Sequence, residues 1–281
     1  MNGKFLDPED SALVNLTEKE FTDWKKKELG LTVVKHLGRY WKKSRIGFYQ
    51  PIHTLARLKA DEAVCPSRLS LGFRASLADE ARSLSNIPNP VFLMRGISEF
   101  DIDAMPSKRR NDLRKSRKLV KFFQMKGMAL PHEQLADVVI SSAKRAGYWP
   151  PGREAYISRA PARFSDSRQY VGVGLVEGML AGFIEGFAVD GTAYIQNVFI
   201  ATEYLPTAVG TGLVFEFVQA CRRAGGIREI SYGLHQRSDE KLGAYKAGMG
   251  FPLTMVPGII SRGPIAKFIS WKYCKLENAF R

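Results

Sequence analysis

Cysteine is scarce. The 281-residue chain has three, Cys65, Cys221 and Cys274, far apart and odd in number. They offer neither a disulfide framework nor a metal-ligand spacing. The four histidines, His36, His53, His132 and His235, are equally scattered. No metal is therefore expected. No apolar run is long enough to span a bilayer, and no solenoid repeat or low-complexity tract occurs. The opening MNGKFLDPED carries acids and no apolar centre, so it does not read as a secretory leader, and a cytoplasmic location is expected. Acid is also in short supply: 28 Asp and Glu face 42 Lys and Arg, a formal charge of +14. Such a surplus attracts polyanions, whether nucleic acid, an acidic membrane surface or a phosphorylated cofactor.

Length allows one large domain or two modest ones. Residues 1 to about 30 read as helical, with Thr17 as N-cap, Glu20 three residues on and Gly30 as the stop. GRYWKKSRIGFYQPIHTLARL reads as two strands, Ser76–Leu84 as a helix, and NIPNPVFLMRGI as a turn and short strand. A basic helix follows, capped by Ser107, with eight Lys or Arg from Lys108 to Lys121 against one acid, Asp112. LPHEQLADVVISSAKRAG is an amphipathic helix with Leu135, Val138, Val139 and Ser142 on one face. From Gln169 the period becomes two, and Glu177-Gly178 and Asp190-Gly191 mark hairpins. A three-stranded meander results, then a glycine turn, a helix from about Gly212 to Ala224, the strand IREISYGL, and a short helix capped by Ser238 or Asp239. FPLTMV and AKFISWKYC read as closing strands. The expected division is a smaller N-terminal α+β region, residues 1–105, and a larger α/β domain, residues 106–281.

The order meander, glycine turn, helix, strand, helix, strand resembles the GNAT superfamily of acyl-CoA-dependent N-acyltransferases, over about Pro131 to Phe251. The fold implied is a mixed sheet, an antiparallel meander flanked by helices. The family's Arg/Gln-x-x-Gly-x-Gly/Ala loop corresponds here to Thr207-Ala208-Val209-Gly210-Thr211-Gly212, with Thr207 in place of Arg or Gln. Glycines permit close backbone approach, and a helix start favours an anion. The resemblance thus implies a pyrophosphate of acetyl-CoA or a longer acyl-CoA on the amides of Ala208, Val209, Gly210, Thr211 and Gly212. It also implies pantetheine along the backbone of Val198, Phe199 and Ile200.

HQRSDEKLGAYKAGMGF ends in the family's Gly-Phe, at Gly250-Phe251, but Lys246 stands four residues before Gly250, and Tyr245 one earlier. A lysine there, with the basic SKRRNDLRKSRK segment, resembles a divergent GNAT branch that includes the BioF2-like acyltransferases and the Fem family of aminoacyl-tRNA-dependent peptidoglycan transferases. The N-terminal region would then be a degenerate GNAT-like half. Acyl transfer to an amine needs a base, an acid for the leaving group and donors for the oxyanion. Tyr245 is the candidate acid, Lys246 the oxyanion stabiliser, Glu185 the base, and Asn197, with Gln196, the group that polarises the amine. Adjacent helical residues point about 100° apart, so only one of Tyr245 and Lys246 is expected to face the site. The expected function is acyl transfer from acyl-CoA to an amine of a small metabolite or amino acid. The alternatives are a Fem-like transferase that engages tRNA through residues 108–121, and a non-catalytic binding protein of the same fold.

Overall fold

The structure, a computed structural model, describes residues 3–44, 47–164, 166–235 and 239–263. The first elements are β1 (Lys4–Leu6), β2 (Asn15–Leu16), α1 (Glu18–Leu29), β3 (Val33–His36), β4 (Arg39–Lys43), β5 (Phe48–Pro51), β6 (Gly72–Ser76) and β7 (Ile87–Arg95). Next come α2 (Ser107–Leu119), β8 (Lys121–Lys126), α3 (His132–Arg145), α4 (Arg153–Phe164), β9 (Tyr170–Val176), β10 (Met179–Val189) and β11 (Thr192–Ile200). A 3-10 turn over Thr202–Thr207 leads into α5 (Val209–Ala224), β12 (Glu229–Leu234), α6 (Glu240–Gly248) and β13 (Leu253–Arg262).

Two compact units result. One joins the described residues up to Asn15 to Phe92–Leu253; the other joins Leu16–Val91 to the described residues from Thr254 on. This differs from a single cut at residue 105, because β1 hydrogen-bonds antiparallel to β8 and so ties the first residues to the later half.

The first unit carries the strand order β1-β8-β9-β10-β11-β12, antiparallel except for the parallel pair β11–β12. The hairpin signals of the meander are real: Glu177 and Gly178, and Asp190 and Gly191, all have positive φ, as a tight two-residue turn of this hand needs. The sequence YVGVGLV explains how both faces of β9 are covered. Val171 and Val173 join Leu135, Val138, Val139 and Phe183 in the core beneath α3 and α4. Gly172 and Gly174 face the other way, towards the α5 core. A Cβ on Gly174 would fall 2.7 Å from Val209 Cγ2, so the missing side chain lets α5 lie close to the sheet. There Leu213, Val214, Phe217 and Val218 form the second core with Ile184 and Leu113 of α2.

The second unit has the strand order β13-β6-β5-β4-β3, with β5 and β6 parallel. Helix α1 begins with the full Thr17–Glu20 capping box and ends at Gly30 in the left-handed conformation. Trp41, Tyr49, Leu58, Phe73 and Leu77 form its core, with Trp41 edge-on to Phe73 at 5.5 Å.

Several expectations need correction. Helix starts only at Glu18, because residues 4–6 and 15–16 are strand. The helix expected over Ser76–Leu84 is a strand end followed by a 3-10 turn, Asp79–Leu84. Ser107 lies inside α2 rather than capping it. The segment KFFQMK leaves the basic helix as β8, and α4 and β3 join the expected elements. AKFISWKYC and Ser238 lie outside the described residues.

Candidate active site

Strands β11 and β12 run parallel and pair over Thr192–Tyr194 and Glu229–Ser231. Beyond Tyr194 they part. Gly233, at φ 79°, bends the end of β12. Between the parted ends lies a cavity of about 320 Å³, lined by Ile195–Phe199, Tyr232–Leu234, Phe92 and the inner face of α6. The carboxyl ends of diverging parallel strands are where open α/β sheets take ligands, because backbone groups there lack strand partners.

Helix α6 starts at Asp239, whose Oδ1 accepts from Leu242 N at 2.9 Å. It delivers Lys246 to the cavity wall. Lys246 is 8% exposed, and its Nζ stands 4.9 Å from the ring centroids of both Phe92 and Tyr232. Gly233 of β12 lies beside the amine: a Cβ there would be 4.0 Å from Nζ, in ordinary contact. Burial lowers the Lys246 pKa, opposed by the carboxylate of Asp239.

Tyr245 points elsewhere, as the helical angle requires. Arg109 of α2 stacks over its ring at 4.7 Å, and its Oη lies 3.7 Å from where a Cβ on Gly210 would be. Burial pushes this phenol up to about 12, while the nearby Thr211 hydroxyl and Arg109 pull it down. The oxygen is buried and makes no well-formed hydrogen bond; the Thr211 hydroxyl is a neighbour rather than a full partner. Tyr245 thus lies at the start of α5, outside the lining of the β11–β12 cavity.

The start of α5 shows how the two glycines are used in packing. The helix begins at Val209, and the residue with positive φ is Ala208, at 58°. Gly210 and Gly212 are in the first helical turn. The amides of Thr211 and Gly212 donate to Ala208 O at 3.0 and 3.4 Å. Both glycines serve packing: a Cβ on Gly212 would sit 2.1 Å from Phe122 Cζ, and one on Gly210 2.5 Å from Ile200 Cδ1. Val198 and Ile200 pack their side chains into the α5 core, and Phe199 packs into the α3–α4 core.

Glu185 and Asn197 face each other across β10 and β11. Glu185 is fully buried and held by Arg163 of α4, at 2.8 and 2.6 Å, and by Asn197 Nδ2 at 2.8 Å. Asn197 lines the cavity; Glu185 does not. The site therefore unites Lys246, Asn197, Val198 and Phe199, and leaves Tyr245 and Glu185 one layer away. Phe92, Arg163 and Arg109 carry no signal in the sequence that marks them for this site.

A larger hollow of about 670 Å³ borders α5 beside Asp7, Glu9 and Asp101. Its cations are engaged: Arg117 meets Glu216 at 3.6 Å, and Arg223 donates to Ser11 O at 2.8 Å. It lies at the start of β8 and just past the end of β1, not at the carboxyl ends of parting parallel strands, and the β11–β12 cavity is the better site. Among the described residues, no group of three or more His, Cys, Asp or Glu is placed to hold a metal ion.

The course of the chain now has known counterparts. FemX superposes with a TM-score of 0.61 at 9% identity, over 97% of this chain and 100% of its own. L-PGS from Bacillus licheniformis gives 0.55 at 12% identity, over 89% and 94%. The C-terminal domain (DUF2156) named for lysylphosphatidylglycerol synthetase, from Agrobacterium fabrum, gives 0.57 at 12%, over 92% and 97%. The fold is GNAT-like, of the Fem-like kind. No family model and no curated protein matches the chain. Within this GNAT-like fold, the parted β11–β12 pair is the feature around which the candidate residues gather. No helix among the described residues is long and apolar enough to cross a membrane.

Proposed function

We propose that the protein transfers an activated acyl group to an amine, with aminoacyl-tRNA as the donor. The observation that carries this reading is the cleft between β11 and β12, with the buried amine of Lys246 in its wall. The acceptor nitrogen attacks the ester carbonyl. A C–N bond forms, the C–O bond to the ribose breaks, and the proton lost by the amine ends on the departing hydroxyl. Negative charge grows on the carbonyl oxygen in between, and a cation fixed in a water-poor cleft stabilises it strongly. Past Tyr194 the β11 edge turned towards β12 has no pairing with that strand among the described residues, though Ile200 O accepts from Arg145 at 2.7 Å. Such an edge suits the amides of a pantetheine arm and so supports acyl-CoA, the second reading.

Two features favour tRNA over CoA. Helix α2 exposes Lys108, Arg114, Lys115 and Lys118 while burying Leu113 and Ser116, a one-sided cationic surface suited to phosphates. The close approach of Phe122 and Ile200 accounts for both glycines at the start of α5 by packing, so their presence does not by itself call for a diphosphate. Acyl-CoA is the second reading. It is favoured by the amides of Val209 and Gly210, which donate to no described residue at the start of a helix. Parallel assays with charged tRNA and with acetyl-CoA, each with a panel of amines and amino acids as acceptors, separate the two. Turnover with charged tRNA alone is expected; turnover with acetyl-CoA alone would transfer the site to the second reading.

A further inference from the structure

Asn197 shows one defined face to the cleft, and the cause lies behind it. Glu185 sits directly across from Asn197 in the β10–β11 pairing and is fully buried. Arg163 forks onto it, Nε to Oε1 at 2.8 Å and a terminal nitrogen to Oε2 at 2.6 Å. Asn197 Nδ2 donates to the same Oε2 at 2.8 Å. A carboxylate clasped by a guanidinium only accepts hydrogen bonds. An amide oxygen turned towards it would set acceptor against acceptor, so the amide can settle in one orientation only. The NH2 group faces Glu185, and Oδ1 is left for the cleft that Asn197 lines. Lys246, on the α6 wall of the same cleft, only donates when protonated. The cleft thus offers an acceptor from its strand wall and a cation from its helix wall.

We propose that Arg163 and Glu185 form a positioning pair that locks the Asn197 amide, so that the cleft presents a fixed acceptor to the attacking amine. One N–H of the amine is taken by Asn197 Oδ1, which orients its lone pair towards a carbonyl held near Lys246. This rests on the acyl-transfer reading above and adds the residues that orient the acceptor. It also removes Glu185 as the base: three donors already share its two oxygens, and it does not line the cleft.

The test is nuclear magnetic resonance of protein labelled with 15N in asparagine side chains, with methylammonium and tetramethylammonium, cations with and without N–H, as probes. In the wild type the Asn197 NH2 should exchange slowly with solvent, and methylammonium should shift its resonance where tetramethylammonium does not. The double variant Arg163→Met with Glu185→Gln removes both charges together, which avoids an uncompensated buried ion. The glutamine amide introduced there can present either face to Asn197, so the Asn197 amide is released. Its protection should fall on the order of tenfold, and methylammonium should lose its advantage over tetramethylammonium. In turnover, KM for the amine should rise on the order of tenfold while kcat changes less. A wild-type Asn197 amide that exchanges as fast as an exposed one overturns the proposal, and this needs no variant to fold. So does an unchanged methylammonium response in the double variant. The amide signature needs no turnover. Its presence without acyl transfer would sink the proposed function alone, and transfer without it would sink the positioning pair alone.

Discussion

At the residue scale, burial sets the titration of two side chains, and each gives a measurable pH effect. Lys246 has its pKa lowered by burial, with Asp239 opposing. Only the ammonium stabilises an oxyanion, so the alkaline limb of kcat/KM should fall below the ordinary lysine range. Lys246→Arg, which stays charged, should move that limb upward; a limb that does not respond would remove Lys246 from the chemistry. His53, 5% exposed, is pushed down to about 3 by burial, helped by the charges of Arg39, Lys42 and Arg57. An unfolded imidazole titrates near the usual value of about 6.5. Because the folded pKa is the lower one, the contribution of His53 to stability is whole above pH 6.5. It fades as pH falls towards the folded value, by at most about 1.4 kcal/mol per pH unit. Urea unfolding at pH 7 and pH 4.5 should show a smaller loss in His53→Gln than in the wild type.

At the scale of elements, the start of α5 decides how close the helix approaches the sheet. A Cβ on Gly212 would meet Phe122 at 2.1 Å. Gly212→Ala should cost about 1–3 kcal/mol through overpacking, and Phe122→Leu in the same chain should restore part of it in thermal unfolding. The meander was legible because Glu177-Gly178 and Asp190-Gly191 can form only tight turns between alternating strands. The position of α6 was legible from Asp239 and Gly250. The meaning of Gly210 and Gly212 was not. Glycine in a first turn signals close approach, but sequence does not say whether a ligand or a phenylalanine approaches. Strand β8 was hidden because Lys121 and Lys126 extend the charge pattern of α2, although Phe122, Gln124 and Met125 are buried. Arg163 was beyond reach: its partner Glu185 lies 22 residues away in another element, and nothing local links them.

At the scale of the whole molecule, a chain of +14 carries much of its charge on one helix beside the α5–α6 layer. If α2 grips tRNA, log affinity should fall linearly with log salt, and each exposed cation removed should flatten that slope by about 0.7–0.9. Filter binding of Lys115→Gln and Lys118→Gln measures this; slopes equal to wild type would separate α2 from the nucleic acid. The fold shared with FemX and L-PGS spans nearly the whole chain, whereas the proposed chemistry rests on the one cleft between β11 and β12. Lys246→Met keeps the apolar stem packed on Phe92 and Tyr232 and deletes only the charge. The deciding experiment is the single-turnover rate of this variant with charged tRNA and an amine, beside its melting temperature. A drop of at least about a hundredfold with the melting temperature kept is expected for a lost oxyanion stabiliser. A rate within a few fold of wild type would place acyl transfer somewhere other than this cleft.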